Sequence, residues 1–120
     1  MLMKSGTTIK QRDIVLIPFP YSDLSTIKKR PVVIISNKNY HKNNIDVICC
    51  AITSNTKAIH RGVNIFSSDL SEGRLKVESI VKPGKIYSIQ KDRIIKKIAK
   101  LNIPKTKEVI ENLNLDIELD

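Results

Sequence analysis

Two short stretches place chemically capable side chains at the ends of apolar runs. Lys28-Lys29-Arg30 leads into Pro31-Val32-Val33-Ile34-Ile35-Ser36, and Cys49-Cys50-Ala51-Ile52 leads into Thr53-Ser54-Asn55. A guanidinium stays protonated and presents several fixed donors, which suits it to the charge on a phosphoryl group. Pro31 restricts Arg30 to extended backbone and so holds it at a strand entrance. Thr53, at a strand exit, offers a hydroxyl that donates to or accepts from phosphate oxygens. Taken singly, an Arg before a strand is ordinarily a solvated loop end and a strand-terminal Thr ordinarily a good β-former. Their surroundings decide between the two readings.

Charge supplies the first context. The chain has 21 Lys and Arg against 12 Asp and Glu, a net charge of +9, and a pI near 9.7. Such a field attracts polyanions: nucleic acid first, an acidic protein segment second, with a merely solvated basic surface as the plain alternative. Lys28, Lys29, Lys57, Lys82 and Lys85 are candidates to line a nucleic-acid backbone, each acting through counterion release. Phe19 and Tyr21 flank Pro20, where an aromatic face either stacks on an unpaired base or pins the loop to the core.

Cys49 and Cys50 are strand neighbours pointing to opposite faces, poor geometry for a bridge, and read as small buried hydrophobes of a reduced compartment. Together with His41 and His60 they do not make a metal-ligand spacing, so neither a metal site nor a cofactor is expected. The two histidines sit in polar contexts and would titrate near neutrality. No signal-like segment opens the chain and no apolar run reaches the ~18 residues of a membrane span, so no membrane partner and a cytoplasmic location are expected.

The elements that must position these residues are mostly strands. With 120 residues and 41% hydrophobic content, one domain is expected. Asp13 to Ile17, Pro31 to Ser36, Ile45 to Thr53, Val63 to Phe66, Leu75 to Val81 and Lys85 to Ile89 are rich in Val and Ile and bounded by turn residues, as in a small barrel or sandwich. Asn37 to Asn44 reads as a polar loop, Ser71-Glu72-Gly73 as a tight turn, and Pro83-Gly84 as the reverse turn of a hairpin. Pro104 fits a first helical turn, with Val109, Ile110 and Leu113 on one face. From Leu113 to Leu119 apolar and polar residues alternate, so the tail is either helix or strand.

The order and spacing of these elements, from about Asp13 to Leu115, resemble the PemK/MazF family, the RNA-cleaving toxins of bacterial toxin-antitoxin modules. The resemblance implies a mainly β fold, a small SH3-like β-barrel (CcdB/PemK/MazF-like) with a C-terminal α-helix. Barrel and helix would occupy about residues 12–115 of a single domain, 1–120, after an N-terminal extension, 1–11. For the segment Asp92 to Leu101, whose Ile94, Ile95, Ile98 and Leu101 have helical spacing but are also β-formers, it implies a short helical turn and then a closing strand ending at Leu101. By the same resemblance the activity is that of a metal-independent, sequence-selective endoribonuclease acting on single-stranded mRNA. In this chemistry the RNA's 2′-hydroxyl attacks the adjacent phosphorus, leaving a 2′,3′-cyclic phosphate and a 5′-hydroxyl.

Arg30-Pro31 matches the family's catalytic Arg-Pro pair, and Thr53 matches its catalytic Thr or Ser at the end of the third strand. Ser54 and Asn55 extend that edge toward RNA. The expected partners are a second copy of the chain, forming a homodimer, and a cognate acidic antitoxin that competes with RNA. In two places the chain departs from family patterns. Arg12 stands where a glycine often precedes the first-strand Asp, a change expected only to alter the strand entrance. Lys82-Pro83-Gly84 lacks the Arg and Asp that one branch carries, so no acid/base role transfers there. A gyrase-inhibiting toxin of the same fold and a non-catalytic nucleic-acid-binding barrel are the alternatives; the retained Arg30-Pro31 and Thr53 favour the nuclease.

Overall fold

The β-branched runs become strands, and their neighbours are set by which faces must be buried. The computed structural model describes residues 8–19, 28–55 and 61–120. In it β1 (Asp13–Phe19), β2 (Lys28–Ile34), β3 (Asp46–Thr53), β4 (Val63–Ile65), β5 (Leu70–Gly73), β6 (Ser79–Gln90) and β7 (Lys96–Leu101) form an antiparallel sheet in the order β4-β6-β3-β2-β1-β7-β5. The sheet curls into a nearly closed barrel, the small SH3-like architecture expected. Helix α1 (Lys38–Asn43) joins β2 to β3, and α2 (Ile103–Ile117) follows β7.

Strand periodicity splits the interior in two. Ile14, Val33, Cys50, Ile52, Val81 and Leu101 pack with Val109 of α2 on one face. Val15, Ile17, Val32, Ile34, Val47 and Cys49 pack with Ile94 on the other. Adjacent Cys49 and Cys50 thus enter different clusters, as strand alternation requires. Both are buried free thiols, and burial pushes them up to about 12 and about 11, so neither is a nucleophile near neutral pH.

Several local expectations give way to longer-range pairing. Pro83-Gly84 is not a hairpin turn. β3 pairs along its whole length with β6, Cys50 facing Ile86 and Ala51 facing Lys82, so Pro83, Gly84 and Lys85 form a bulge with no partner on β3. Proline has no N–H for the ladder, and β3, buried on both faces, offers more pairing than a local turn returns. Consequently residues 75–78 precede β6 rather than belonging to it. Ser71-Glu72-Gly73 lies in β5, where Gly73 (φ 74°) approaches β7 so closely that a Cβ would lie 2.7 Å from Ala99 Cα and overlap the Ile98 carbonyl.

The polar stretch 37–44 contains α1, whose Asn37 side chain accepts from Tyr40 N–H at 3.0 Å, an N-cap in a segment read as a loop. β1 runs on through Pro18 to Phe19, and β2 begins at Lys28 and ends at Ile34. The region after Lys91 behaves as expected, a short 3₁₀ turn at Lys91–Arg93 and then β7. The tail is helical to Ile117, with Asn102 capping Lys105 N–H and Pro104 in the first turn.

Arg12 does more than alter a strand entrance. Its φ of 82° lies in the left-handed region that glycine enters freely and other residues enter at a cost of roughly 1–2 kcal/mol. That cost is offset locally. Arg12 N–H donates to Ile34 O at 2.8 Å, its carbonyl accepts from Leu101 N–H at 2.9 Å, and its guanidinium donates to Leu101 O at 3.0 Å.

Candidate active site

Arg30 and Thr53 are brought together by register. Val33 faces Cys50 and Val32 faces Ala51 across β2 and β3; Arg30 and Thr53 each lie two residues beyond the last pair and line one cleft. The β2–β3 ladder stops at Val32, beside Pro31, which has no N–H to extend it. β2 nevertheless continues along β1, Arg30 facing Ile17 and Lys28 facing Phe19. The two strands therefore part, and the gap opens into a cleft of about 200 Å³ lined by Arg30, Thr53, Phe19, Tyr87, Lys82 and Lys85. Ala51 lies in its floor between Val32 and Lys82; its single methyl leaves the space that a larger residue would fill.

The cleft is an extension of one sheet face. Alternation puts Phe19, Arg30 and Thr53 on the face that carries Ile17, Val32 and Cys49, so a rigid apolar cluster lies directly beneath them. Lys82 arrives on that face opposite Ala51, and the adjoining bulge carries Lys85 to its rim. Tyr87, opposite Cys49, meets Phe19 edge-on with ring centroids 6.0 Å apart. The Arg30 guanidinium lies over the Phe19 ring, 5.4 Å from its centroid. Stacking of this kind orients a guanidinium while leaving its N–H donors to a ligand.

Among the described residues Arg30, Lys82 and Lys85 form no ion pair with a carboxylate, so their charge is available to an incoming anion. Thr53 Oγ1 accepts from Asn55 N–H at 3.1 Å, which fixes the hydroxyl and leaves its own proton to donate outward. Stacked guanidinium, oriented hydroxyl and two ammonium groups around one gap make a site for a tetrahedral anion, best suited to stabilising charge that grows on phosphoryl oxygens.

The remaining candidates distribute around this centre. Ser54 and Asn55 are exposed just past β3, and Lys28 and Lys29 are exposed on β2 outside the cleft lining. Lys57, Tyr21 and His60 lie outside the described residues. His41 is at the opposite end of β3, its Nε2 2.6 Å from Ser36 Oγ, and burial together with the Lys91 charge lowers its pKa. Among the described residues no three His, Cys, Asp or Glu side chains come together as a metal-binding group. Sequence reasoning missed Tyr87 and Ala51, which read as ordinary strand residues; cross-strand register gives them their place.

Comparison with known proteins identifies the family and the fold. The family described as PemK-like, MazF-like toxin of type II toxin-antitoxin system matches residues 10–116. The chain belongs to that family. No curated protein sequence matches this PemK-like, MazF-like toxin. Solved structures share its fold at low identity. MazF from Deinococcus radiodurans is 18% identical, with a TM-score of 0.73 over 95% of this chain and 100% of that one. MazE-MazF from the same organism gives 0.76 at 18%, over 96% and 100%. A mycobacterial endoribonuclease in complex with its cognate antitoxin gives 0.70 at 16%, over 93% and 95%. No described helix of the toxin is long and apolar enough to cross a membrane.

Proposed function

We propose that this toxin is a metal-independent, sequence-selective endoribonuclease that cleaves single-stranded mRNA, with Arg30 and Thr53 as its catalytic residues. The observation that carries the reading is the convergence of Arg30 and Thr53, distant in sequence, at the gap where β2 and β3 part, among cations that no described carboxylate neutralises. Cleavage requires the substrate's 2′-hydroxyl to attack the adjacent phosphorus. Charge then grows on the non-bridging oxygens. The Arg30 guanidinium meets that charge, and removing one such donor typically costs ~10² to 10³ in rate. The Thr53 hydroxyl donates to a phosphoryl oxygen and sets the phosphate in line. Lys82 and Lys85 hold the flanking backbone, and Phe19 presents its ring beside Arg30; Lys28, Lys29, Ser54, Asn55 and Lys57 extend the path outward.

The relatives solved with MazE or a cognate antitoxin support a second expectation, an acidic, partly disordered antitoxin competing with RNA for this basic face. A disordered acidic segment suits a long groove because it folds on binding. In its working form the toxin is a homodimer. Incubating the purified protein with a long RNA in EDTA and mapping the new ends tests the reading. Cuts leaving a 2′,3′-cyclic phosphate and a 5′-hydroxyl are expected. Products with a 5′-phosphate, or cutting only after Mg²⁺ is added, would refute the mechanism, and no cutting at all would favour the gyrase-inhibiting alternative.

A further inference from the structure

The cleft does not end at Tyr87. It shares Phe19 and Tyr87 with a hollow of about 320 Å³ that runs past Ser88 to Gln90 and Arg93. That hollow shares Gln90 with another, bordered by Lys91, Asp92 and His41, which in turn shares His41, Lys42 and Lys91 with a cavity of about 620 Å³. Four ammonium groups, those of Lys10, Lys38, Lys42 and Lys91, line this last cavity together with His41, and no carboxylate lines it. None of the four forms an ion pair among the described residues; Asp92 borders the adjoining hollow, and two other nearby acids are engaged with other groups. Asp13 is held by Lys97 and Lys100, and Asp46 by Tyr40 and Ser88. The wall is fixed, with Lys91 Nζ donating to His41 O at 2.6 Å and the His41 ring held by Ser36.

β3, which runs from Asp46 near this end to Thr53 at the cleft, is about 23 Å long, a span of roughly four to seven nucleotides of single strand. A row of hollows with cations at both ends, Arg93 between them and aromatic rings near one end is the form of a polyanion track. Resting on the nuclease reading above, we propose that single-stranded RNA leaves the cleft along β6 and that Lys10, Lys38, Lys42 and Lys91 hold its backbone phosphates beyond the cleavage motif. The site adds affinity for long RNA and takes no part in bond breaking. An acidic peptide is the lesser candidate, since the hollows adjoin, through shared lining residues, the cleft in which the nuclease reading puts RNA.

The test uses the full chain, a short RNA covering the mapped cleavage motif alone, and RNAs extended by about ten nucleotides on one side or the other. Lys38 and Lys42 are exposed on α1, and Lys38→Ala/Lys42→Ala should leave the melting temperature and short-RNA turnover close to the parent's. For one extended RNA, KM should rise about tenfold, and the slope of log affinity against log salt should become shallower by about 1.4, two contacts at ~0.7 each. Equal KM and slope for both extended RNAs would overturn the proposal. If the parent cuts no RNA, the nuclease reading fails, and filter binding then decides. Weaker binding of an extended RNA by the variant supports the track, and equal binding overturns it. If the variant loses affinity for a polyglutamate peptide but not for extended RNA, the cavity serves an acidic protein segment and the proposal is wrong.

Discussion

Two regions of this barrel are rich in lysine and arginine and differ in what neutralises them. On β7, Lys97 reaches Asp13 at 3.3 Å and Glu72 at 3.0 Å, and Lys100 approaches Asp13 at 3.9 Å. Asp13 is buried, and its carboxylate also accepts from Lys10 N–H at 2.9 Å. These charges neutralise one another and tie β1 to β7 and β5. At the cleft, Arg30, Lys82 and Lys85 meet no carboxylate among the described residues, and Arg30 is oriented by an aromatic ring instead. Positive charge spent on internal partners holds a fold together, whereas charge oriented but left unneutralised is prepared for a ligand. The difference lies in neighbours that only the fold assembles.

The largest expected effect falls on the cleft. Arg30→Ala should lower single-turnover RNA cleavage by about 10² to 10³, which is ~3–4 kcal/mol, while the melting temperature stays near the parent's. Parental cutting by Arg30→Ala would put this arginine among the structural charges. The converse substitution is Asp13→Ala. It removes the buried carboxylate that pairs with Lys97 and Lys100 and accepts from the Lys10 amide, and should destabilise by about 2–4 kcal/mol in chemical denaturation while cleavage per folded molecule is retained. If Asp13→Ala lost activity at full stability, the division between the two regions would not hold.

Thr53→Val sharpens the boundary, because it keeps the shape and β-propensity and deletes only the hydroxyl. Cleavage should fall clearly, RNA affinity less, and melting temperature little. Unchanged turnover would mean that Thr53 only builds the strand. The smallest effect is on pH dependence at Glu72, whose pKa is lowered by the hydrogen bond and charge of Lys97. A carboxylate depressed in the folded state contributes stability that is present above its unfolded value, near 4.5, and lost as pH falls through the lower folded value. Melting temperature should therefore decline slightly more steeply below that pH in the parent than in Glu72→Gln, and salt should shrink the difference.

Much of this arrangement was legible in the sequence for physical reasons. Val and Ile runs fixed most strand positions and Pro104 marked a first helical turn, whereas Arg30, read as a strand entrance, lies inside β2, which begins at Lys28 because it pairs with β1 as far as Phe19. What stayed hidden depends on partners distant in sequence. Pro83-Gly84 has the chemistry of a turn, and only the length of β3 reveals that the chain passes straight on with a bulge. Tyr87 looks like any strand tyrosine until register sets it opposite Cys49 and edge-on to Phe19. The strain at Arg12 was likewise invisible, since φ is a property of the assembled turn, although a glycine preference at that position has its explanation there.

The central claim is that the cleft works on a phosphate attacked by its own neighbouring 2′-hydroxyl. An RNA carrying a single 2′-deoxy nucleotide at the mapped cleavage position removes that nucleophile and keeps every phosphate contact. Incubated with the parent protein in EDTA, this RNA should bind nearly as tightly as the all-ribose strand and remain uncut at that bond. Cleavage of the deoxy-substituted bond at a comparable rate would contradict the account, because the attacking group would then have to come from the protein or from water.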